Sequence, residues 1–171
     1  MTTALVVLLA VVIGGGYAAW RWSQSQYYVG ADSKSQEVLI YRGVNQHVVG
    51  ISLSHRFHGT GIKLAQVPPS YQQTVKATDA ASSLSSAQAI VANIRSAVTT
   101  CQLGYTALEQ WVTKENAHQA ALALARKQHK SAKDIKAIPG PGPQPTRPSM
   151  CQPSTAFGIA ADALVPSPGA S

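Results

Sequence analysis

The chain reads as an α+β protein: one transmembrane helix, then a small antiparallel sheet covered by two or three helices, then a disordered Pro-rich tail. Three observations predict this. Residues 4–19 are apolar and uncharged, residues 27–67 alternate with a period near two, and from Leu84 apolar residues recur at steps of three and four. The implied division is a transmembrane anchor over 1–22, an extracytoplasmic α+β domain over 23–138 and a Pro/Ser/Ala-rich tail over 139–171. Between the two ends lie roughly 110 residues, enough for one modest core.

The first element is read from charge and hydropathy. Residues 2–20 carry no charge, a run at the short end of what spans a bilayer core. Tyr17, Trp20 and Trp22 supply amphipathic rings suited to a membrane interface, and Arg21 can reach headgroups. A cleaved signal peptide is the rival reading. No Lys or Arg precedes the apolar run, however, and its small-x-small site is Gly16-Tyr17-Ala18. Ala10 with Gly14 makes a small-xxx-small pair through which helices could associate, giving an oligomer. The nearby bases, Arg21 and Lys34, follow the apolar run, which sits awkwardly with an external C-terminal part. A basic segment once preceding Met1 would remove that conflict.

The sheet comes next. Residues 27–29 and 38–42 are strand candidates separated by the loop-like "GADSKSQ", and in "VVGISLSH" Val49, Ile51 and Leu53 share one face. "HGTG" turns the chain into residues 62–67, so a three- or four-stranded antiparallel sheet with one solvated face is expected. Pro68-Pro69 then opens a short helix over "SYQQTVKATDAA". Ser85 with Gln88 fits a capping box ahead of the stripe Leu84, Ala87, Val91, Ile94, Val98 and Cys101. Gly104 is expected to bend or end that helix, and a further helix should run over about 106–135. From Pro139 the composition is too poor in apolar residues for a core.

The chain carries a formal charge of +7 with 12% charged residues, so the basic balance reflects few acids. Such a balance permits contact with anionic lipid, cell-wall polymer or nucleic acid and selects none of them. The densest patch comprises Arg126, Lys127, Lys130, Lys133 and Lys136, with Arg126, Lys130 and Lys133 near one helical face. A solvated face is the plain reading, and contact with anionic headgroups or wall polymer is the functional one. Nucleic acid is not expected, because no stacking aromatics are interleaved with the bases.

Few residues suggest chemistry. Cys101 lies on the apolar stripe and Cys151 in the tail, and in an oxidising compartment a disulfide between them would tie the tail back. His55-x-x-His58 with His47 lacks the acids and thiols of a zinc site, and surface histidines explain it. Cys101 and His118 make a poor nucleophile pair, since an apolar stripe disfavours a thiolate. No P-loop, GxSxG or HExxH pattern occurs. Only seven acids are present, and they are scattered, so a carboxylate metal site is not expected. No cofactor is implied.

One resemblance adds to this. Trp22, Gln24, Gln26, Tyr27, Tyr28, Val29 and Gly30, then Ile40, Tyr41, Arg42 and Gly43, resemble the membrane and extracytoplasmic part of actinobacterial 2C-type protein serine/threonine phosphatases. Pro68, Pro69, Tyr71, Gln72 and Val75, with "AIVANIR" over 89–95, are similar to its later segment and helix. The likeness covers about residues 4–101. The family's Asp-Gly and Asp-Gly-x-Gly-Gly metal motifs are absent, so none of its metal or catalytic residues can be placed here. The resemblance implies a non-catalytic, membrane-anchored extracytoplasmic module of a phosphatase signalling system, a sensor of wall material or another ligand. Its partners would be the bilayer, a cell-wall polymer or a membrane kinase. Two alternatives stay open: a fragment or mis-started form of a full metal-dependent phosphatase, and a secreted wall-binding protein.

Overall fold

A computed structural model of the chain describes residues 2–48, 51–146 and 149–166, with side chains from Ala10 onward except at 47, 48 and 51. The elements, in order, are α1 (Thr2–Ser23), β1 (Tyr27–Ala31), β2 (Glu37–Val48), β3 (Ile51–Lys63), α2 (Pro69–Ala77), β4 (Asp79–Ala81), α3 (Leu84–Lys127) and α4 (Ala132–Lys136). Short 3-10 turns cover Leu64–Gln66, Ser154–Phe157 and Asp162–Leu164. The chain divides into two compact units, Met1–Ser96 and Ala97–Ser171.

In the first unit the sheet is antiparallel with strand order β3-β2-β1-β4. Val29 pairs with Ile40, and Val38 with Ala31, so these residues share a face. That face is packed: Val29, Val38, Val67 and Ala87 are wholly buried, with Ile40, Val75 and Ile94 nearly so. Burying each such side chain stabilises by roughly 1.5–3 kcal/mol, the main driving force for a core of this size. Pro69 opens α2 at its first turn, where a missing N–H costs nothing. Arg95 donates to the Thr60 carbonyl (2.8 Å) and Thr60 Oγ1 to that of Val38 (2.6 Å), fastening α3 to β3 and β3 to β2.

Gly43 explains the break in register along β2. Its φ of +107° favours glycine, and a Cβ there would stand 2.8 Å from Ser54 Cα and overlap the Leu53 carbonyl. The β2–β3 register shifts between Gly43 and His47, as a bulge requires. Gly43 N–H also donates to the Gln26 carbonyl (2.8 Å), and Arg42 Nε to that of Gln24 (2.8 Å), fixing how the chain enters β1.

In the second unit Tyr105, Leu108 and Leu164 form a buried cluster against which Cys151, Phe157 and Ile159 pack. Cys101 and Cys151 stand at disulfide-bonding distance with Cα atoms 5.7 Å apart. Tyr105 Oη donates to the Gln152 carbonyl (2.9 Å), and Trp111 Nε1 to that of Gly142 (3.0 Å).

Several expectations are corrected. Among the described residues no helix is long and apolar enough to cross a membrane. The side chains described along α1, from Ala10 to Ser23, include three consecutive glycines and Arg21, which lower the apolar character of that stretch. The transmembrane helix of the expected fold class therefore falls. Gly104 does not end its helix: α3 is 44 residues long, merging the two helices expected there. Its N-terminal side-chain cap is Ser83, whose Oγ accepts from Ser86 N–H (3.1 Å), two residues before the expected Ser85. Residues 62–67 are not a separate strand, because Ile62 and Lys63 end β3 and a 3-10 turn follows. The tail is not disordered over 149–166, where two 3-10 turns and the cysteine pair hold it. Val49 and Gly50, expected in a strand, lie outside the described residues.

Candidate functional site

The sheet face opposite the core carries the most developed site of the first unit. Tyr28 pairs with Tyr41 across β1 and β2, and Tyr41 with Arg56 across β2 and β3, so alternation places all three on that face. Together with Asp32, Asn45, Ser54 and Thr78 they border a pocket of about 500 Å³. This lies within the range typical of small-molecule sites. The two tyrosine rings stack, with centroids 4.8 Å apart and planes 7° from parallel. Tyr28 Oη and Ser54 Oγ share a hydrogen bond of 2.8 Å, so that serine hydroxyl is partnered by a phenol rather than by a base.

Asp32 closes β1 and begins the turn into β2. Its backbone N–H donates to the Glu37 carbonyl (2.9 Å), and its carboxylate accepts from Ser35 N–H (2.7 Å), as an aspartate does when it organises a turn. The other carboxylate oxygen pairs with the Arg56 guanidinium. Asp32 is buried, whereas the Arg56 side chain is more than half exposed. The Ser35 backbone N–H, then the Ser35 side chain and Arg56, hold the Asp32 carboxyl below its ordinary value, outweighing the opposing effect of burial. Tyr41 is shifted upward, first by burial and then by the charge of Asp32 and by Tyr28, with Arg56 acting the other way.

Thr78 sits on the rim in a conformation that β-branched residues rarely adopt, with φ 65° and ψ 106°. Three features accommodate it. Asn45 Nδ2 donates to Thr78 Oγ1 (3.1 Å), and Thr78 Oγ1 donates to the Ala77 carbonyl (2.6 Å). Gly30 leaves room for the threonine methyl, which would lie 3.3 Å from a Cβ placed there.

A second pocket of this unit, about 210 Å³, lies among Tyr71, Val75, Asp79, Ile90 and Ile94 and contains no ion pair among the described residues. In the second unit a pocket of about 450 Å³ lies beside Lys114, His118 and Pro139. There His118 Nδ1 is buried with no hydrogen-bond partner among the described residues.

The residues singled out from sequence are placed as follows. Tyr17, Trp20, Arg21 and Trp22 are exposed on the last turns of α1, as are Ala10 and Gly14 further back. The basic patch is exposed but does not share one helix. Arg126 and Lys127 close α3, His129 reverses the backbone at φ 51°, and Lys133 and Lys136 belong to α4. Lys130 lies between the two helices, so the helical face drawn through Arg126, Lys130 and Lys133 does not form. Cys101 is the partner of Cys151 and is not a free nucleophile. Among the described residues no group of three His, Cys, Asp or Glu could hold a metal ion, and the side chain of His47 lies outside them.

Sequence reading missed Asp32, Asn45, Arg56 and Thr78. Signals existed for two of them. "DSKS" is an aspartate-led turn, and Arg56 alternates with Ser54 on a strand whose other face is committed elsewhere. Compared with known proteins, the chain matches no family model, no curated protein and no solved structure.

Proposed function

We propose that this chain is a non-catalytic extracytoplasmic binding module of a bacterial serine/threonine phosphatase signalling system, taking material of the cell wall in its sheet-face pocket. The observation that carries this reading is where the family-like residues lie. Tyr28, Gly30 and Tyr41 line the pocket, while Arg42 and Gly43 hold the bulged hairpin that shapes it. On this reading, the residues that carry the resemblance build a polar recess as well as a core.

Two further features support it. The paired cysteines suit an oxidising compartment outside the cytoplasm. In the pocket, the hydroxyl of Ser54 is bonded to a phenol and the carboxylate of Asp32 to a turn and a guanidinium. Groups so committed favour recognition over proton transfer or nucleophilic attack.

The test has three arms. The purified chain, incubated with Mn²⁺ or Mg²⁺ and a phosphopeptide, should release no phosphate; measurable turnover would defeat the non-catalytic reading. The same chain should co-sediment with purified insoluble wall material, and failure to do so would defeat the binding reading. Labelling of intact cells with an impermeant thiol reagent should modify Cys101 and Cys151 only after reduction.

A further inference from the structure

We propose that the ligand of the sheet-face pocket is an uncharged, polyhydroxylated sugar, in contrast to the anionic polymer that the chain's charge of +7 would suggest. This rests on the reading of that face as a binding site and names the chemistry it selects. The first argument is charge. Among the described residues lining the pocket, Asp32 and Arg56 carry opposite charges and are each other's partners. The carboxylate is ionised at neutral pH, so the pair sums to zero. An incoming phosphate or carboxylate would have to compete with a fixed, buried anion for the guanidinium, and would meet that anion's repulsion. The excess of positive charge along the chain gives it no help inside this recess.

The second argument is the kind of polar group on offer. Arg56 has five N–H donors and gives one nitrogen to Asp32, while its side chain remains exposed. Asn45 presents both an amide donor and a carbonyl acceptor on an exposed side chain, with one donor given to Thr78. Ser52 and Ser54 add hydroxyls that are partly engaged, Ser52 Oγ donating to the Ser54 carbonyl (3.1 Å) and Ser54 Oγ bonded to Tyr28 Oη (2.8 Å), and that keep lone pairs able to accept. A sugar hydroxyl also donates and accepts at once, so a mixed lining of this sort satisfies vicinal hydroxyls without leaving either partner unpaired. The half-buried ring of Tyr41 supplies an apolar flank for the C–H face of a pyranose.

The third argument is strain. Thr78 is held on the rim in an unfavourable backbone conformation by Asn45 and by the space Gly30 leaves. Such strain costs about 1–3 kcal/mol and persists where the surroundings over-determine it, most often at a binding surface. Holding Asn45 against Thr78 orients an amide that would otherwise rotate freely.

The experiment titrates the full chain, followed by amide NMR, with three probes of similar size: a trimer of N-acetylglucosamine, a trimer of galacturonic acid and an uncharged tripeptide. The neutral saccharide should bind at least about tenfold more tightly than the acidic one, with Kd changing less than about twofold between about 50 and about 500 mM NaCl. Asn45→Ala should weaken it about fivefold or more while leaving the amide spectrum folded, and Lys133→Ala should leave it unchanged. Tighter, salt-sensitive binding of the acidic trimer would overturn the proposal, as would binding of the peptide alone. If no probe binds yet the chain still co-sediments with wall material, the sugar assignment fails and the binding reading survives. If sedimentation fails too, both fall.

Discussion

Arg56 reaches from β3 to the buried carboxylate of Asp32, so a solvent-exposed guanidinium on one edge of the face is tied to the turn that joins β1 and β2. The pair ties β3 to the β1–β2 turn, and its two charges cancel within the recess. Because the folded state holds the Asp32 carboxyl below its ordinary value of 3.8, that carboxylate favours folding above the ordinary value. The contribution is lost as pH falls through the lower folded value. Thermal melts of the wild-type chain should therefore show Tm declining below about pH 4, and Asp32→Asn should flatten that decline. An unaltered acid limb in the variant would contradict the assignment.

Gly43 admits no side chain. Gly43→Ala forces a Cβ into the Leu53 carbonyl and Ser54 Cα at a φ that alanine disfavours, so urea denaturation should show a loss of about 3 kcal/mol or more. A loss under about 1 kcal/mol would mean that the bulge is not held as described.

Cys101 and Cys151 are separated by 50 residues, for which the chain-entropy picture gives a stabilisation of about 4 kcal/mol. Cys101→Ser/Cys151→Ser should expose the segment around Phe157 and Leu164 to limited proteolysis. The pocket-lining residues of the first unit should keep their chemical shifts. A tail as protected after the double substitution as before would show that the bond is dispensable.

Thr78→Gly removes a strained β-branched residue at positive φ and offsets glycine's own entropic cost, so it should raise stability by about 1 kcal/mol. It also deletes the Oγ1 that holds Asn45, so saccharide affinity should fall. Stability gained together with unchanged affinity would remove the strain argument.

How much of this was legible depends on whether the signal was local. The stripe through Ala87, Val91, Ile94, Val98 and Cys101 is buried as its spacing implies, because a helix projects every third or fourth residue to one side. Strand β4 was not legible: "DAA" has no strand propensity, and it is ordered by pairing Asp79 with Val29 and Ala81 with Tyr27. Gly104 misled for a related reason, since a single glycine lowers helix propensity by only about 1 kcal/mol and neighbouring packing at Cys101, Tyr105 and Leu108 outweighs it. The tail's order likewise comes from distant partners, a cysteine and the Tyr105–Leu108 surface, that no tail residue announces. The pocket depended on register. Asp32 and Arg56 are 24 positions apart, and only the β1–β2–β3 pairing brings them together.

Chemical-shift mapping with a soluble digest of purified wall material tests the central claim most directly. Perturbation should centre on Tyr28, Tyr41, Asn45 and Arg56 and need a higher digest concentration in Asn45→Ala. Shifts confined to the basic segment from Arg126 to Lys136, or no shifts at all, would contradict the account.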